Sequence, residues 1–265
     1  MPTREATVDA AELIARWRAA RQPIGFLPDR CRPRSQAAAY DVQEELHRRE
    51  AAAGLGVVAG YKIGCTTPTM QKFVGVDSPC YGGVLDRAVH RGTGTFPHAA
   101  FLHVGVECEI AVRLGRAMTP DQAPFKRDAV AGHVAACMVA IEVVDDRYTD
   151  YKALDAAALI ADDFFQAACV LGREVAGWRA LDLAAARGTT TINGKPAGDG
   201  FGADVMGHPF EALAWLGNAM AGRGRSVPEG AFVLTGSIVI ARWVAPGDRV
   251  VAAIDGLGEA RADFV

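Results

Sequence analysis

The feature that most constrains the fold is a series of short apolar segments that begins at Val57 and continues to the C-terminus. Glycine, proline and aspartate separate these segments, a pattern typical of β-strands. The predicted strands are VVAGYKIG, GGVLDRAVH, HVGVECEIAVRL, MVAIEVVDD, ACVLG, GTTTINGK, AFVLTGSIVIARWV and RVVAAIDGLGEARADFV. Helical patterns interrupt them at residues 67–74, 127–137 and 209–220. Because strands outnumber helices and do not alternate with them, we predict a mixed, β-rich α+β core and not a doubly wound α/β fold.

The first part of the chain has a different pattern. Apolar residues recur at helical spacing over residues 8–21 and 35–53, and Ser35 is in position to cap the second helix. A proline-rich segment separates the two stretches. We therefore predict a small helical N-terminal region over residues 1–55 and a β-rich core over residues 56–265.

Composition excludes several classes of protein. The 265 residues carry a formal net charge of −3, which argues against bulk attraction to nucleic acid or to an anionic membrane. The most apolar stretch, residues 129–144, contains His133 and Glu142 and falls short of a spanning helix. Six scattered cysteines show no CxxC spacing, so reduced thiols are expected. We predict a cytoplasmic protein with no nucleic-acid partner and no membrane partner.

Two glutamates share one face of the predicted strand HVGVECEIAVRL. Alternate side chains of a strand point to opposite faces, so Glu107 and Glu109 lie together beside the small residues Gly105 and Ala111, with Cα atoms about 7 Å apart. Carboxylate oxygens from such a pair suit Mg²⁺ or Mn²⁺. A solvated polar face is the alternative interpretation, and the pair alone does not decide between them.

Two further charged residues lie in apolar surroundings. Glu142, within MVAIEVVDD, must bind a metal, form an ion pair or be neutral if it is buried; an ion pair with Arg147 is the structural alternative. Lys62, within GYKIGCTTP, would have its pKa lowered by desolvation and would then suit acid–base chemistry. The alternative for Lys62 is a surface lysine whose stem packs on apolar residues.

Six segments in the same order resemble one family. They are GYKIGCTTPTMQKFVGVDSPCYGGVLD, VECEIAVRLGR, AIEVVDDRY, ADDFFQAACVLG, GHPFEALAWLGNAMAGRG and VLTGSIV. They are similar to the 2-keto-4-pentenoate hydratase and 4-oxalocrotonate decarboxylase branch of the fumarylacetoacetate hydrolase superfamily. The resemblance covers residue 8 to the C-terminus and implies a β-rich catalytic core of sandwich or roll type. It also implies a homo-oligomer.

The resemblance assigns roles to particular residues. It implies a divalent metal, Mg²⁺ or Mn²⁺, held by Glu107, Glu109 and Glu142, with Lys62 beside the substrate as an acid–base group. The substrate-binding residues that we predict are Thr66, Cys80, Phe165, Gln166 and Thr235.

The implied substrates are small 2-oxo or 2-hydroxy-dienoic acids from aromatic-compound catabolism. We favour a hydratase of the 2-keto-4-pentenoate type; a decarboxylase of the 4-oxalocrotonate type is the second interpretation, and an acylpyruvate-type C–C hydrolase is the third. A non-enzymatic binding partner is a further alternative, but the presence of all three glutamates and Lys62 speaks against it. A cation at the distal end of the substrate, such as Arg147 or Arg242, would favour a substrate with a second carboxylate.

The chain departs from the family at two places. Cys80 stands where hydratases often carry an acidic residue that pairs with the lysine, so we predict that Asp163 supplies the missing acid as a catalytic residue. Small hydroxyl-bearing residues are common after the acidic pair, whereas Phe164, Phe165 and Gln166 follow it here. The second departure predicts a bulkier, more apolar pocket wall.

Overall fold

Twelve strands form one continuous hydrogen-bonded order in the computed structural model, which describes residues 3–265. The strands are β1 (Val58–Gly64), β2 (Cys80–Leu85), β3 (Val89–Arg91), β4 (Thr93–Phe96), β5 (Val104–Leu114), β6 (Val134–Asp145), β7 (Gln166–Leu171), β8 (Arg187–Ile192), β9 (Lys195–Phe201), β10 (Phe232–Trp243), β11 (Arg249–Ile254) and β12 (Gly258–Phe264). The helices are α1 (Arg4–Ala20), α2 (Gln36–Ala52), α3 (Pro68–Val74), α4 (Arg127–Val130), α5 (Ala156–Ala161) and α6 (Pro209–Gly222).

The sheet is mixed and folds back on itself. Its order is β2-β1-β10-β5-β6-β7-β3-β4-β12-β11-β8-β9, and β1–β10, β3–β7 and β4–β12 are parallel pairs among antiparallel ones. Strands β11 and β12 pack against β6, so apolar residues from both parts of the sheet meet in one core. The predicted α+β class with a β-rich core is confirmed.

Four neighbouring strands, β1, β10, β5 and β6, position the charged residues singled out in the sequence. Lys62 of β1 is in register with Leu234 of β10, and Glu107 of β5 is directly opposite Glu142 of β6. Alternation along β5 is as predicted. Val106, Cys108 and their like-facing neighbours enter the main core, whereas Ala111, on the face of the glutamates, joins a smaller apolar cluster.

The N-terminal helices are capped and packed as their sequences indicate. The Ser35 hydroxyl accepts a hydrogen bond from the backbone N–H of Ala38, which confirms the predicted cap of α2. Helix α1 packs against α2, and α2 packs against α5. Both helices lie within the predicted region 1–55, of which residues 1 and 2 are outside the described residues; the boundary at 55 and 56 stays a prediction.

One predicted helix is wrong. Residues 127–137 form only the short helix α4, and strand β6 already begins at Val134. β6 pairs along its whole length with β5, so tertiary pairing overrides the local apolar spacing. Strand β4 and helix α5 were not predicted, since each is too short to show a clear period.

Two expectations about the surroundings of the protein can be compared with the structure. All six cysteines are free and buried. Over residues 3–265, no helix combines the length and the apolar character that crossing a membrane requires.

Candidate active site

Three carboxylates converge on one face of β5 and β6. Glu107, Glu109 and Glu142 each offer an oxygen, and these three oxygens lie within 4.8 Å of one another. Glu109 and Glu142 are buried, whereas Glu107 is partly exposed. The backbone N–H of Gly236, on the adjacent strand β10, donates to Glu109 Oε2 at 2.7 Å and fixes that carboxylate. The predicted glutamates are therefore brought together, and the solvated polar face is not what forms.

The electrostatics of this cluster suit a divalent cation. Glu109 Oε1 and Glu142 Oε1 are buried and accept no hydrogen bond. Burial, followed by the negative charge of Glu142, raises the pKa of Glu107 to about 8. Burial and the other two carboxylates raise the pKa of Glu109 well above its usual value. A hard cation with oxygen ligands would satisfy the free oxygens and compensate these charges.

Lys62 is the nearest positive charge. Its Nζ lies 3.3 Å from Glu142 Oε1 and donates a 2.6 Å hydrogen bond to the carbonyl oxygen of Phe164. Burial alone would lower the pKa of Lys62, but the charges of Glu142, Glu107 and Glu109 outweigh it and raise the pKa. The predicted lowering was therefore wrong, because the sequence did not show how close Lys62 lies to the glutamates. A protonated Lys62 can act as a hydrogen-bond donor or general acid.

A cavity of about 500 Å³ opens beside Lys62, Glu107 and Glu142. This volume is within the usual range for small-molecule sites. Thr66, Thr67, Thr69 and Ser237 supply hydroxyl groups to its lining. The rest of the lining is largely apolar and aromatic: Ile63, Met70, Phe73, Val74, Val144, Tyr151, Leu159, Phe164, Phe165, Ile240, Ala241 and Trp243.

The predicted substrate-binding residues divide into two groups. Thr66 and Phe165 line this cavity. Cys80, Gln166 and Thr235 do not: Cys80 is fully buried beside Cys65, and the Thr235 hydroxyl donates to the carbonyl of Ile110 at 2.8 Å. Gln166 instead lines a second cavity of about 240 Å³. For these three residues the structure gives no contact with the predicted pocket.

Asp163 does not pair with Lys62. Its carboxylate accepts hydrogen bonds from His47 Nε2 and the backbone N–H of Gly83, each at 2.8 Å, and from Arg18 at 3.1 Å. The prediction that Asp163 replaces the acid missing at Cys80 is therefore not supported by the geometry. The Asp163 side chain points to the N-terminal helices, and the ion-pair partner of Lys62 is Glu142.

Neither arginine considered for a second substrate carboxylate reaches the cavity. Arg147 is buried and pairs with Asp162, with Nε and Oδ2 2.8 Å apart, and not with Glu142. Arg242 lies beside Gly198 of β9. Among the described residues that line the cavity, Lys62 is the only lysine, arginine or histidine. Away from Lys62 and the glutamates, the described lining therefore offers apolar and hydroxyl groups but no positive charge.

Several features of the site had no signal in the sequence. Met70, Phe73, Ile240 and Trp243 are exposed apolar residues at the cavity. The spacing of these residues within α3 and β10 is the same as that of ordinary core residues. The sequence does not show which elements face the cavity, so it could not distinguish the two roles. The partners of Asp163 on α1 and α2 were missed for the same reason.

The His47–Asp163 pair predicts a pH-dependent stability. Burial lowers the pKa of His47, but Asp163, at 2.8 Å, and Glu50 outweigh both burial and Arg18 and raise it above its usual value near 6.5. A raised folded-state pKa stabilises the protein fully below the unfolded pKa, and this stabilisation is lost as pH rises through the folded pKa. We expect His47→Gln to lose more free energy of unfolding at about pH 6 than at about pH 9. Denaturant titrations of both proteins measure this, and equal losses at the two pH values contradict it.

Comparison with known proteins agrees with the fold. Residues 85–265 match the model of the fumarylacetoacetate (FAA) hydrolase C-terminal family. The chain belongs to this family, which confirms the predicted resemblance.

The similar proteins come from both enzyme types of the predicted branch. The 4-oxalocrotonate decarboxylase of Pseudomonas putida is 33% identical over 86% of this chain and 85% of its own. The 2-keto-4-pentenoate hydratase of Paraburkholderia phymatum is 34% identical over 92% of each chain. The solved 4-oxalocrotonate decarboxylase from Pseudomonas putida G7, complexed with magnesium and adipate, superposes with a TM-score of 0.93 at 30% identity and covers 100% of this chain and 99% of that one.

Proposed function

We propose that the protein is a divalent-metal-dependent lyase, a hydratase that adds water to a short 2-hydroxy-dienoate with a single carboxylate. One observation carries this proposal: Lys62, Glu107 and Glu142 line a cavity whose remaining lining is apolar or hydroxyl-bearing and contains no further cation among the described residues. The Glu109 carboxylate converges with the other two glutamates at the same place. The charged side chains of the cavity are therefore grouped together in one part of its lining. A substrate with one carboxylate and an apolar tail fits that arrangement.

We propose Mg²⁺ as the metal, with Glu107, Glu109 and Glu142 as its ligands. Three carboxylates favour a hard, oxygen-binding cation, and a decarboxylase similar over the whole chain has been solved with magnesium. Mn²⁺ binds the same ligand types and is the alternative. When bound, such a cation supplies a Lewis acid that stabilises negative charge on the oxygens of a 2-oxo acid.

The protein's own side chains complete the site. Lys62, protonated beside Glu142, is placed to donate a hydrogen bond or a proton to the substrate. Thr66 and the neighbouring threonines offer hydroxyl groups for the polar end of the substrate. Phe164 and Phe165 form part of the apolar wall and offer a surface on which the hydrocarbon part of the substrate can pack.

A decarboxylase acting on a 2-oxo-enedioate is the second candidate. It is favoured by the similarity to 4-oxalocrotonate decarboxylases, one of which superposes over the whole chain. The absence of a second cation from the described cavity lining argues against it here, because a second carboxylate would be left without a positive partner.

Substrate preference tests this choice. With Mg²⁺ present, we expect 2-hydroxypenta-2,4-dienoate to gain water, and kcat/KM for 2-oxohex-3-enedioate to be lower by about 10–100-fold, as for an unpaired polar group in an apolar site. Mass spectrometry of the products and initial rates measure both. Ile240→Arg places a cation at the exposed part of the wall and should reduce the difference. Loss of carbon dioxide from the enedioate at the higher kcat/KM would assign the decarboxylase instead.

Two wider expectations belong with this proposal. A cytoplasmic location is supported by six free, buried cysteines. A homo-oligomer remains a prediction from the family resemblance.

A further inference from the structure

We propose that Asp163 is a positioning residue for Lys62: it holds the backbone turn whose carbonyl oxygen, that of Phe164, accepts the hydrogen bond of the lysine. Through this turn the N-terminal helices become part of the catalytic unit. The inference rests on the proposed role of Lys62, but its contacts are independent of the reaction.

The turn has an unusual backbone. Asp163, Phe164 and Phe165 have φ angles of 57°, 51° and 69°, so three consecutive non-glycine residues are left-handed. Such residues cost conformational free energy and persist only where surrounding contacts hold them. The turn follows α5 and precedes β7, and the carbonyl it presents at its centre lies 2.6 Å from Lys62 Nζ.

The Asp163 carboxylate supplies the main side-chain contacts of the turn. It is buried, and it accepts hydrogen bonds from Arg18 of α1, His47 of α2 and the backbone of Gly83 in β2. Burial would raise the pKa of Asp163, but His47 and Arg18 outweigh it and lower the pKa, so the carboxylate is charged. Three elements distant in sequence are therefore tied to one side chain.

The preceding residue strengthens the same connection. Asp162 Oδ1 accepts from Arg18 Nε at 2.7 Å, and its Oδ2 accepts from Arg147 Nε and the Tyr148 hydroxyl, each at 2.8 Å. Arg18 also donates to the carbonyl of Asp162 at 2.9 Å. The Arg18 guanidinium thus contacts both acidic residues at the start of the turn. A shift of α1 would therefore move the turn as well.

Strand β2 is shaped to admit the turn. A Cβ at Gly82 would lie 2.7 Å from the carbonyl oxygen of Asp163, and one at Gly83 would lie 2.5 Å from the His47 ring. Any side chain at either position would push the turn or the histidine away. Glycine at both positions allows the close approach on which the Asp163 contacts depend.

The consequence for Lys62 follows from its two partners. Glu142 attracts the ammonium toward the glutamates at 3.3 Å without a well-directed hydrogen bond, whereas the Phe164 carbonyl provides a directed one at 2.6 Å. If the turn relaxes, Lys62 keeps its attraction to Glu142 but loses the acceptor that fixes its position. A displacement of about 1 Å in an acid–base group can cost about 10²-fold in rate.

Asp163→Asn tests the proposal, because it keeps the shape of the side chain and removes the charge that Arg18 and His47 bind. We expect kcat to fall by about 10²-fold with little change in KM or in the affinity for Mg²⁺. We also expect the rate at which acetic anhydride labels Lys62, followed by peptide mass spectrometry without substrate, to rise several-fold. The labelling result separates this proposal from the proposed function, since it needs no activity.

Arg223→Gln is the matched control. Arg223 also ties α2 to the rest of the protein, through Asp41 and Glu44, but it does not contact the turn. The control should lose stability without altering the labelling of Lys62. If Asp163→Asn does not fold, His47→Gln removes one charged partner and should change labelling in the same direction. Unchanged Lys62 labelling in the folded variant, or an equal change in Arg223→Gln, overturns the proposal.

Discussion

Replacing Glu107 and Glu109 together by glutamine is expected to abolish Mg²⁺ binding and catalysis while leaving the protein folded. Two of the three carboxylates that converge within 4.8 Å are then neutral, so the remaining Glu142 is insufficient for a divalent cation. Loss of the Lewis acid removes several kcal/mol of transition-state stabilisation, which corresponds to a fall in kcat/KM of about 10³-fold or more. Isothermal titration with MgCl₂ and initial-rate measurements give both quantities.

The same variant should be more stable than the parent protein when both are free of metal. The pKa values of Glu107 and Glu109 in the folded protein are raised by burial and by nearby carboxylates. At neutral pH both side chains therefore ionise more readily in the unfolded chain, which lowers the free energy of unfolding. Glutamine removes that penalty. Adding Mg²⁺ at 100 times its Kd should stabilise the parent by about 2.7 kcal/mol and the variant not at all. Thermal unfolding with and without Mg²⁺ measures the difference.

Glu259→Gln is the control for this experiment, because Glu259 is an exposed glutamate of β12 whose ion pair is with Arg261. It should bind Mg²⁺ as the parent protein does. Undiminished Mg²⁺ binding by the double variant would show that the metal ligands are elsewhere.

Lys62→Met is expected to lower kcat by about 10²–10⁴-fold, the usual contribution of a general acid or base. Methionine fills similar space but cannot donate to the substrate, and it leaves Glu142 without its ion-pair partner. Mg²⁺ should still bind, because all three glutamates remain. Steady-state kinetics at saturating Mg²⁺ separate loss of Lys62 from loss of the metal.

Lys195→Met provides the comparison, since Lys195 is exposed at the hairpin between β8 and β9. Its kinetics should equal those of the parent protein. A Lys62→Met enzyme with an undiminished kcat would remove Lys62 from the mechanism and leave the glutamate site unaffected.

Local patterns predicted the parts of the site that depend on strand alternation. The shared face of Glu107 and Glu109 follows from the period of two, and burial of Glu142 follows from its apolar neighbours. The family resemblance then related Lys62 to these residues. The strand series itself identified the fold class, because the pairing partners need not be known to count strands and helices.

Long-range geometry explains what could not be predicted. The pKa of Lys62 depends on its distance from Glu142, eighty residues away, and alternation along one strand does not contain that distance. Asp163 was predicted to pair with Lys62 because Cys80 cannot supply the acidic partner that hydratases often have. The left-handed turn instead directs the Asp163 carboxylate to α1 and α2. Phe73 of α3 and Trp243 of β10 likewise line the same cavity only because the tertiary fold brings both elements to it.

The position of β10 in the sheet has a consequence for folding. β10 lies between β1 and β5, so the two strands that carry Lys62 and the first glutamates are joined in the sheet only through residues 232–243. On a ribosome, most of the chain is synthesised before that connection can form. Non-local pairing of this kind is slow and exposes unpaired strand edges to other chains. We therefore expect expression yield to depend on chaperone capacity more strongly than the stability of the finished protein would suggest.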